Sequence, residues 1–207
     1  MGTTEWFRNV TWTEAVAAQF EVKLKRARRK EQYLRIQAST LANIEPNVAH
    51  SLLDRYFELP DQFDHAQAHV DRAKAYLAQA RVAEAIVAYR AALSRELEFP
   101  NLLTQAYIDL PYLVAEQCVE PEYARALEVL DKHKTRLMFW LDHFKWNAAK
   151  AFILQALGKS TEAQAFASAA LSAAAKEESG FQWHQTVGLV GGSYGHVIAR
   201  LSRLHDA

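Results

Sequence analysis

The sequence has a single cysteine, Cys118, in 207 residues. That excludes an internal disulfide framework and a cysteine-rich zinc site. Glycine and proline are scarce, at 7 and 5 residues, so the composition is neither collagen-like nor linker-like. No charge sign dominates, with Lys plus Arg at 24 and Asp plus Glu at 24. This balance argues against a chain that binds polyanions over its whole surface. Long apolar runs are missing: LMFWL at 137–141 is among the longest, far short of the ~20 residues that span a bilayer. The opening MGTTEWFRNVTW has no basic stretch followed by an apolar one. After Gly2, Trp6 stands where an acylation signal wants Ser or Thr. The expectation is a soluble cytoplasmic chain with no membrane partner.

What is abundant is alanine, at 36 residues. Ala-rich sequence with few breakers is helix-forming, and half of the chain is apolar. At this length one domain with a sizeable core is expected. No low-complexity linker or domain boundary interrupts it.

Internal repetition organises the pattern. Residues 68–93, AHVDRAKAYLAQARVAEAIVAYRAAL, hold two helical stripes joined around Arg81. Ala73, Tyr76 and Leu77 mark the first; Ala85, Tyr89, Ala92 and Leu93 mark the second at i, i+4, i+7, i+8. Residues 148–171, AAKAFILQALGKSTEAQAFASAAL, repeat the arrangement with Ala151 and Leu154, then Ala163, Ala167, Ala170 and Leu171. Gly158 ends the first helix as a left-handed cap glycine would, and Ser160 or Thr161 can cap the next.

These two segments resemble the tetratricopeptide repeat. The family's small positions are Ala73, Ala85 and Ala92 in one copy, and Ala151, Ala163 and Ala170 in the other. Its aromatic positions carry Tyr76 and Tyr89, then Leu154 and Ala167; its turn glycine is Ala80, then Gly158. His69 and Asn147 stand at its early tryptophan. Two weaker units complete the series. One spans 31–59, broken at Pro46, with Ala49 and Leu53 at the places of Ala85 and Tyr89, and Tyr56 at a small position. The other spans 101–138, with Pro121 in the first turn of its later helix and its key alanine at Ala124 or Ala126. Pro111 is expected to kink or split the earlier helix. Ala49 to Ala85 is 36 residues and Ala85 to Ala163 is 78, a period of the helical-solenoid range.

The resemblance implies an all-α fold. It would be a right-handed α-α superhelix of antiparallel pairs, in approximate units 31–59, 66–97, 101–138 and 145–176. Residues 1–30 and 180–207 would be caps. Thr11 and Glu14 form a capping-box pattern for a helix of about 12–29. In SYGHVIARLSRLH, Tyr194, Val197, Ile198, Leu201 and Leu204 share one face, with Arg200 and Arg203 off it.

Several clusters could carry chemistry. KLKRARRK at 23–30 has six basic residues in eight, a pattern for nucleic acid or for an acidic partner. Its place near a helix C-terminus, without interleaved aromatics, favours a solvated helix end. His65 and His69 at i, i+4 can put two metal ligands on one helix face, with Asp61 or Asp64 nearby. Asp64 also fits a helix N-cap. GLVGGSYG at 188–195 holds four glycines. It has no following Lys-Ser or Lys-Thr and no preceding strand, so it reads as a turn rather than a phosphate loop. Trp6, Trp12, Trp140, Trp146 and Trp183 read as core or cap fillers. Cys118 reads as a buried small hydrophobe.

No cofactor motif is present, and the expectation is a non-enzymatic protein–protein interaction module that takes a partner peptide or helix. The resemblance places its concave groove at Val70, Lys74 and Leu77, then Ala148, Phe152 and Gln155, with Leu34, Ala38 and Leu41 from the first unit. The alternatives are a small helical metal-dependent protein or enzyme using His65 and His69, and a regulator that binds nucleic acid through 23–30.

Overall fold

The computed structural model describes residues 5–60 and 63–207. Among the described residues the fold is all-α, with ten α-helices, three short 3₁₀ turns and no strand. No described helix is long and apolar enough to cross a membrane. The chain divides into two compact units, Met1–Ala106 and Tyr107–Ala207. The first unit holds α1 (Glu14–Arg26), α2 (Lys30–Leu41), α3 (Pro46–Phe57), α4 (His65–Ala78) and α5 (Val82–Glu98). The second holds α6 (Ala106–Glu116), which starts at the boundary, then α7 (Tyr123–Lys132), α8 (Trp140–Ala156), α9 (Ser160–Ala174) and α10 (Gly195–His205).

In the first unit α2 packs on α3, α3 on α4, and α4 on α5. In the second, α8 packs on α9, and α10 covers both α8 and α9. Close approach within the pairs α4–α5 and α8–α9 rests on alanine. Ala73, Ala85, Ala92, Ala151, Ala163 and Ala170 are all 0% exposed. A larger side chain at any of them would push the helices apart.

The turns within these pairs repeat the same two hydrogen bonds. Two residues past the end of α4 stands Ala80 at φ 57°, and two past the end of α8 stands Gly158 at φ 77°. Ala80 N–H donates to Leu77 O at 3.0 Å and Arg81 N–H to Tyr76 O at 2.9 Å. Gly158 N–H donates to Gln155 O at 3.0 Å and Lys159 N–H to Leu154 O at 2.9 Å. Both are left-handed helix stops that satisfy carbonyls the last turn would otherwise leave open. α6 stops the same way, with Cys118 at φ 53° and Val119 N–H donating to Val114 O at 3.0 Å. The residue opening the second half of each pair, Glu45, Arg81, Val119 or Lys159, has ψ of 65°, 71°, 77° or 61°. These four positions are 36, 38 and 40 residues apart.

Several local expectations are corrected. Helix α1 opens at Thr13, whose Oγ1 accepts from Val16 N–H at 3.3 Å, so Thr11 and Glu14 form no capping box. It ends at Arg26, and Arg29 then opens α2, so the basic run is split over a helix end, a link and a helix start. Lys159 is the N-cap residue of α9, and neither Ser160 nor Thr161 caps it. Pro111 leaves α6 unsplit from Ala106 to Glu116, although a proline inside a helix forgoes a ladder bond and crowds the carbonyl four residues earlier. Pro121 lies in a 3₁₀ turn, Glu120–Glu122, ahead of α7 rather than in α7 itself. Ala126 is buried and Ala124 exposed. Cys118 is exposed, because the left-handed stop turns it outward. Trp183 is 83% exposed on the segment between α9 and α10, whereas Trp6 and Trp12 pack against the core around Phe20.

Candidate functional site

The projected groove residues lie on the first helices of the two clear pairs. Val70, Lys74 and Leu77 belong to α4 in the first unit; Ala148, Phe152 and Gln155 belong to α8 in the second. Three of the six are core, with Val70 at 1%, Ala148 at 0% and Phe152 at 3% exposure. Lys74 and Leu77 are half-buried and Gln155 is exposed. Leu34, Ala38 and Leu41 of α2 are buried as well. In the second unit the cause is α10. The Arg200 guanidinium lies 3.9 Å from the Phe152 ring centroid, in cation–π range. In the first unit α2 and α3 both pack on α4.

Beside Lys74 lies a polar lock between α2 and α4. Asp71 is fully buried. Its Oδ2 accepts from Arg35 Nη1 at 3.2 Å, and its Oδ1 from Ser39 Oγ at 3.0 Å and Gln67 Nε2 at 3.2 Å. Burial raises the Asp71 pKa, with Arg35, Gln67, Lys74 and Ser39 working against the rise. Arg35 also donates from Nε to Asp64 Oδ2 at 3.1 Å. Asp64 therefore sits at the N-cap position of α4 but spends its carboxylate on Arg35, not on the helix end. One sequence signal marks this lock: Asp71 falls on the stripe of Ala68 and Ala75, both 0% exposed, where an unpaired charge would be costly.

The second unit joins α6 to α8 in the same way with the signs exchanged. Lys145 Nζ donates to Asp109 Oδ1 at 2.8 Å. Burial alone would lower the Lys145 pKa, but the Asp109 carboxylate and Tyr194 outweigh it and hold the pKa above the ordinary lysine value.

His65 and His69 do share a face of α4, against Phe57. The ring centroids are 5.0 Å and 4.6 Å from it, edge-on and stacked respectively. Burial and the neighbouring Arg72 and His65 lower the His69 pKa to about 4. No third ligand joins them, since no group of three His, Cys, Asp or Glu occurs among the described residues. Asp61 lies outside the described residues, as does Gly2. His69, Arg72, Tyr76 and Val87 line a shallow cleft of about 330 Å³ between α4 and α5. The basic residues Lys23, Lys25, Arg26, Arg28, Arg29 and Lys30 are all exposed.

The Gly-rich segment is held against the start of α8. Leu141 N–H donates to Gly188 O at 2.8 Å. Gly188 has φ 68°, and a Cβ there would stand 2.4 Å from Phe139, so backbone approach requires glycine. A second feature hidden from sequence reasoning pins the N-terminal segment. Asn9 N–H and Nδ2 donate to Gln37 Oε1 at 3.0 and 2.8 Å, and Gln37 Nε2 returns a bond to Asn9 O at 2.8 Å.

Comparison with protein-family models, with curated proteins and with solved structures gives no match to this chain.

Proposed function

We propose that the chain is a non-enzymatic interaction module of the tetratricopeptide-like kind, with helix pairs wound as in that family. Its first helices present a partner peptide or helix with the groove positions that the core leaves available: Lys74 and Leu77 on α4, and Gln155 on α8. The observation that carries the reading is the shared turn. A left-handed residue followed by an N–H bonded five residues back recurs at Ala80–Arg81, Cys118–Val119 and Gly158–Lys159, at offsets of 38 and 40 residues within the range of helical repeats. Two matched pairs of small-residue helices support it. On the first unit recognition would rest on apolar contact at Leu77 with polar positioning by Lys74, and on the second on polar positioning by Gln155.

The test is affinity capture on the immobilised full chain, with Lys74→Glu plus Gln155→Glu beside the wild type. A partner kept by wild type and lost from a double variant of unchanged circular dichroism supports the reading. Equal capture by both removes these positions from the interface. Stoichiometric bound metal with no captured protein would turn the assignment to His65 and His69.

A further inference from the structure

The second unit has a cleft of about 480 Å³ where the end of α7 meets α8 and α9, within the usual size of a ligand pocket. Its wall is aromatic. Trp146 and Phe166 meet edge to face with centroids 5.6 Å apart, and Trp146 is anchored by its Nε1–H donating to Leu130 O at 3.1 Å. Two ammonium groups overhang that wall. Lys150 Nζ is 4.5 Å from the Trp146 centroid and 5.1 Å from that of Phe166, and Lys134 Nζ is 5.6 Å from Trp146. Lys150 pairs with Asp131, whose side chain is 65% exposed. Lys134 has no carboxylate partner among the described residues. His143 also faces the cleft. Two cations thus stand against one solvent-facing anion on an apolar floor.

The first unit supplies an internal comparison. Counting 78 residues back, Asn147, Lys150 and Phe166 correspond to His69, Arg72 and Ala88, which line the α4–α5 cleft. There the one cation, Arg72, is paired with Asp54 and stacked on Phe57 at 4.7 Å, and the other charged residue in the lining is Glu84. The excess positive charge and the paired aromatics belong to the second cleft alone of these two.

We propose that the α7–α8–α9 cleft binds an acidic segment of a partner protein. One carboxylate side chain would sit between the Lys134 and Lys150 ammonium groups above Trp146, and an adjacent apolar side chain would lie against Leu137 and Phe166. Charge complementarity selects the acid, and the aromatic floor selects the apolar neighbour. This site shares no residue with the groove positions Lys74, Leu77 and Gln155, so each reading fails or holds by its own variants.

The probe is an acetylated peptide of alternating Glu and Leu, carrying an uncharged dye and titrated with the full chain by fluorescence anisotropy. A Gln-for-Glu peptide is the charge control. Saturable binding of the Glu peptide is expected, weakened by about tenfold in Lys134→Glu and in the Gln peptide. Arg203→Glu, the same charge change at an exposed site on α10, should alter binding by less than about twofold. The Trp146 indole N–H resonance, assigned with Trp146→Phe, should shift on titration while those of Trp6 and Trp12 stay put. Absence of saturable binding overturns the proposal. So does equal loss in Arg203→Glu, which would mark general charge attraction, or undiminished binding by a folded Lys134→Glu variant.

Discussion

The pairs α4–α5 and α8–α9 share their turn, their buried alanines and their offset of 78 residues, yet they are finished differently. At corresponding places stand Lys74 and Phe152, Leu77 and Gln155, Ala80 and Gly158. Lys74 is half-buried at the edge of the first core, whereas Phe152 is capped by α10 and Arg200. Each pair is also tied to the first helix of the preceding pair by an ion pair, Arg35–Asp71 in one case and Asp109–Lys145 in the other. The cation comes from the earlier helix in the first unit and from the later one in the second. The backbone of a repeat is therefore specified by a few small residues and a turn. What its face does is specified by whichever helix covers it.

The largest test of that contrast is truncation at the corresponding positions. Phe152→Ala should lower unfolding free energy by about 3 kcal/mol, while Lys74→Ala should change it by at most about 0.5 kcal/mol. Urea denaturation of the two variants measures both, and equal effects would erase the distinction between core and edge. Next in size is Arg35→Met, which leaves the buried Asp71 without its cation and should cost about 3 kcal/mol near neutral pH. Adding Asp71→Leu should recover most of that. Asp71 already has a raised pKa, so its protonated form is favoured by folding. The cost of Arg35→Met should accordingly shrink as the pH falls and Asp71 takes up its proton. Lys145→Met, where Asp109 keeps 16% side-chain exposure, should cost less, about 2 kcal/mol.

The turns offer a smaller, signed comparison. Ala80 holds a left-handed φ that costs an L-residue roughly 1–2 kcal/mol, so Ala80→Gly should stabilise by about 0.5–1 kcal/mol after the entropy of the freer unfolded chain. Gly158→Ala should destabilise by about 1 kcal/mol. Thermal melts showing the same sign for both would break the equivalence of the two stops. A further signed test lies in acid. His69 has a folded pKa of about 4, against an unfolded value near 6.5. Below about 6.5 the unfolded chain binds the proton first, so stability falls as pH drops toward about 4. His69→Gln should flatten that part of the pH–stability curve, and an unchanged slope would assign the acid loss to other groups.

The helix content, both clear pairs and the break at Pro46 between α2 and α3 were legible because alanine spacing and breaker placement act locally. Ala73, Ala85, Ala92 and their counterparts are buried where their spacing puts them. Helix ends were less legible. Thr13 and Lys159 occupy cap positions that neighbouring residues could equally have taken, and a one-residue choice turns on tertiary contacts. The surface was least legible. Whether Phe152 or Val70 faces solvent depends on the helices that cover them, α10 for Phe152 and α2 and α3 for Val70. Trp183 and Cys118 illustrate the converse, as apolar residue types left exposed by a turn. The cleft at Trp146 could not be read from spacing, because it joins Lys134 to Lys150 and Phe166 across three segments.

The exchanged polarity of the two ion pairs also bears on how the chain avoids misassembly. Neighbouring repeats of similar shape are prone to dock on the wrong partner while folding. A helix with an acid at the place of Lys145 would meet the Asp109 carboxylate, and one with a cation at the place of Asp71 would meet the Arg35 guanidinium. Either exchange brings like charges together where the native pairing makes a hydrogen bond. The ion pairs thus act as keys that distinguish otherwise interchangeable helices, a sorting role separate from whatever stability they contribute to the finished fold.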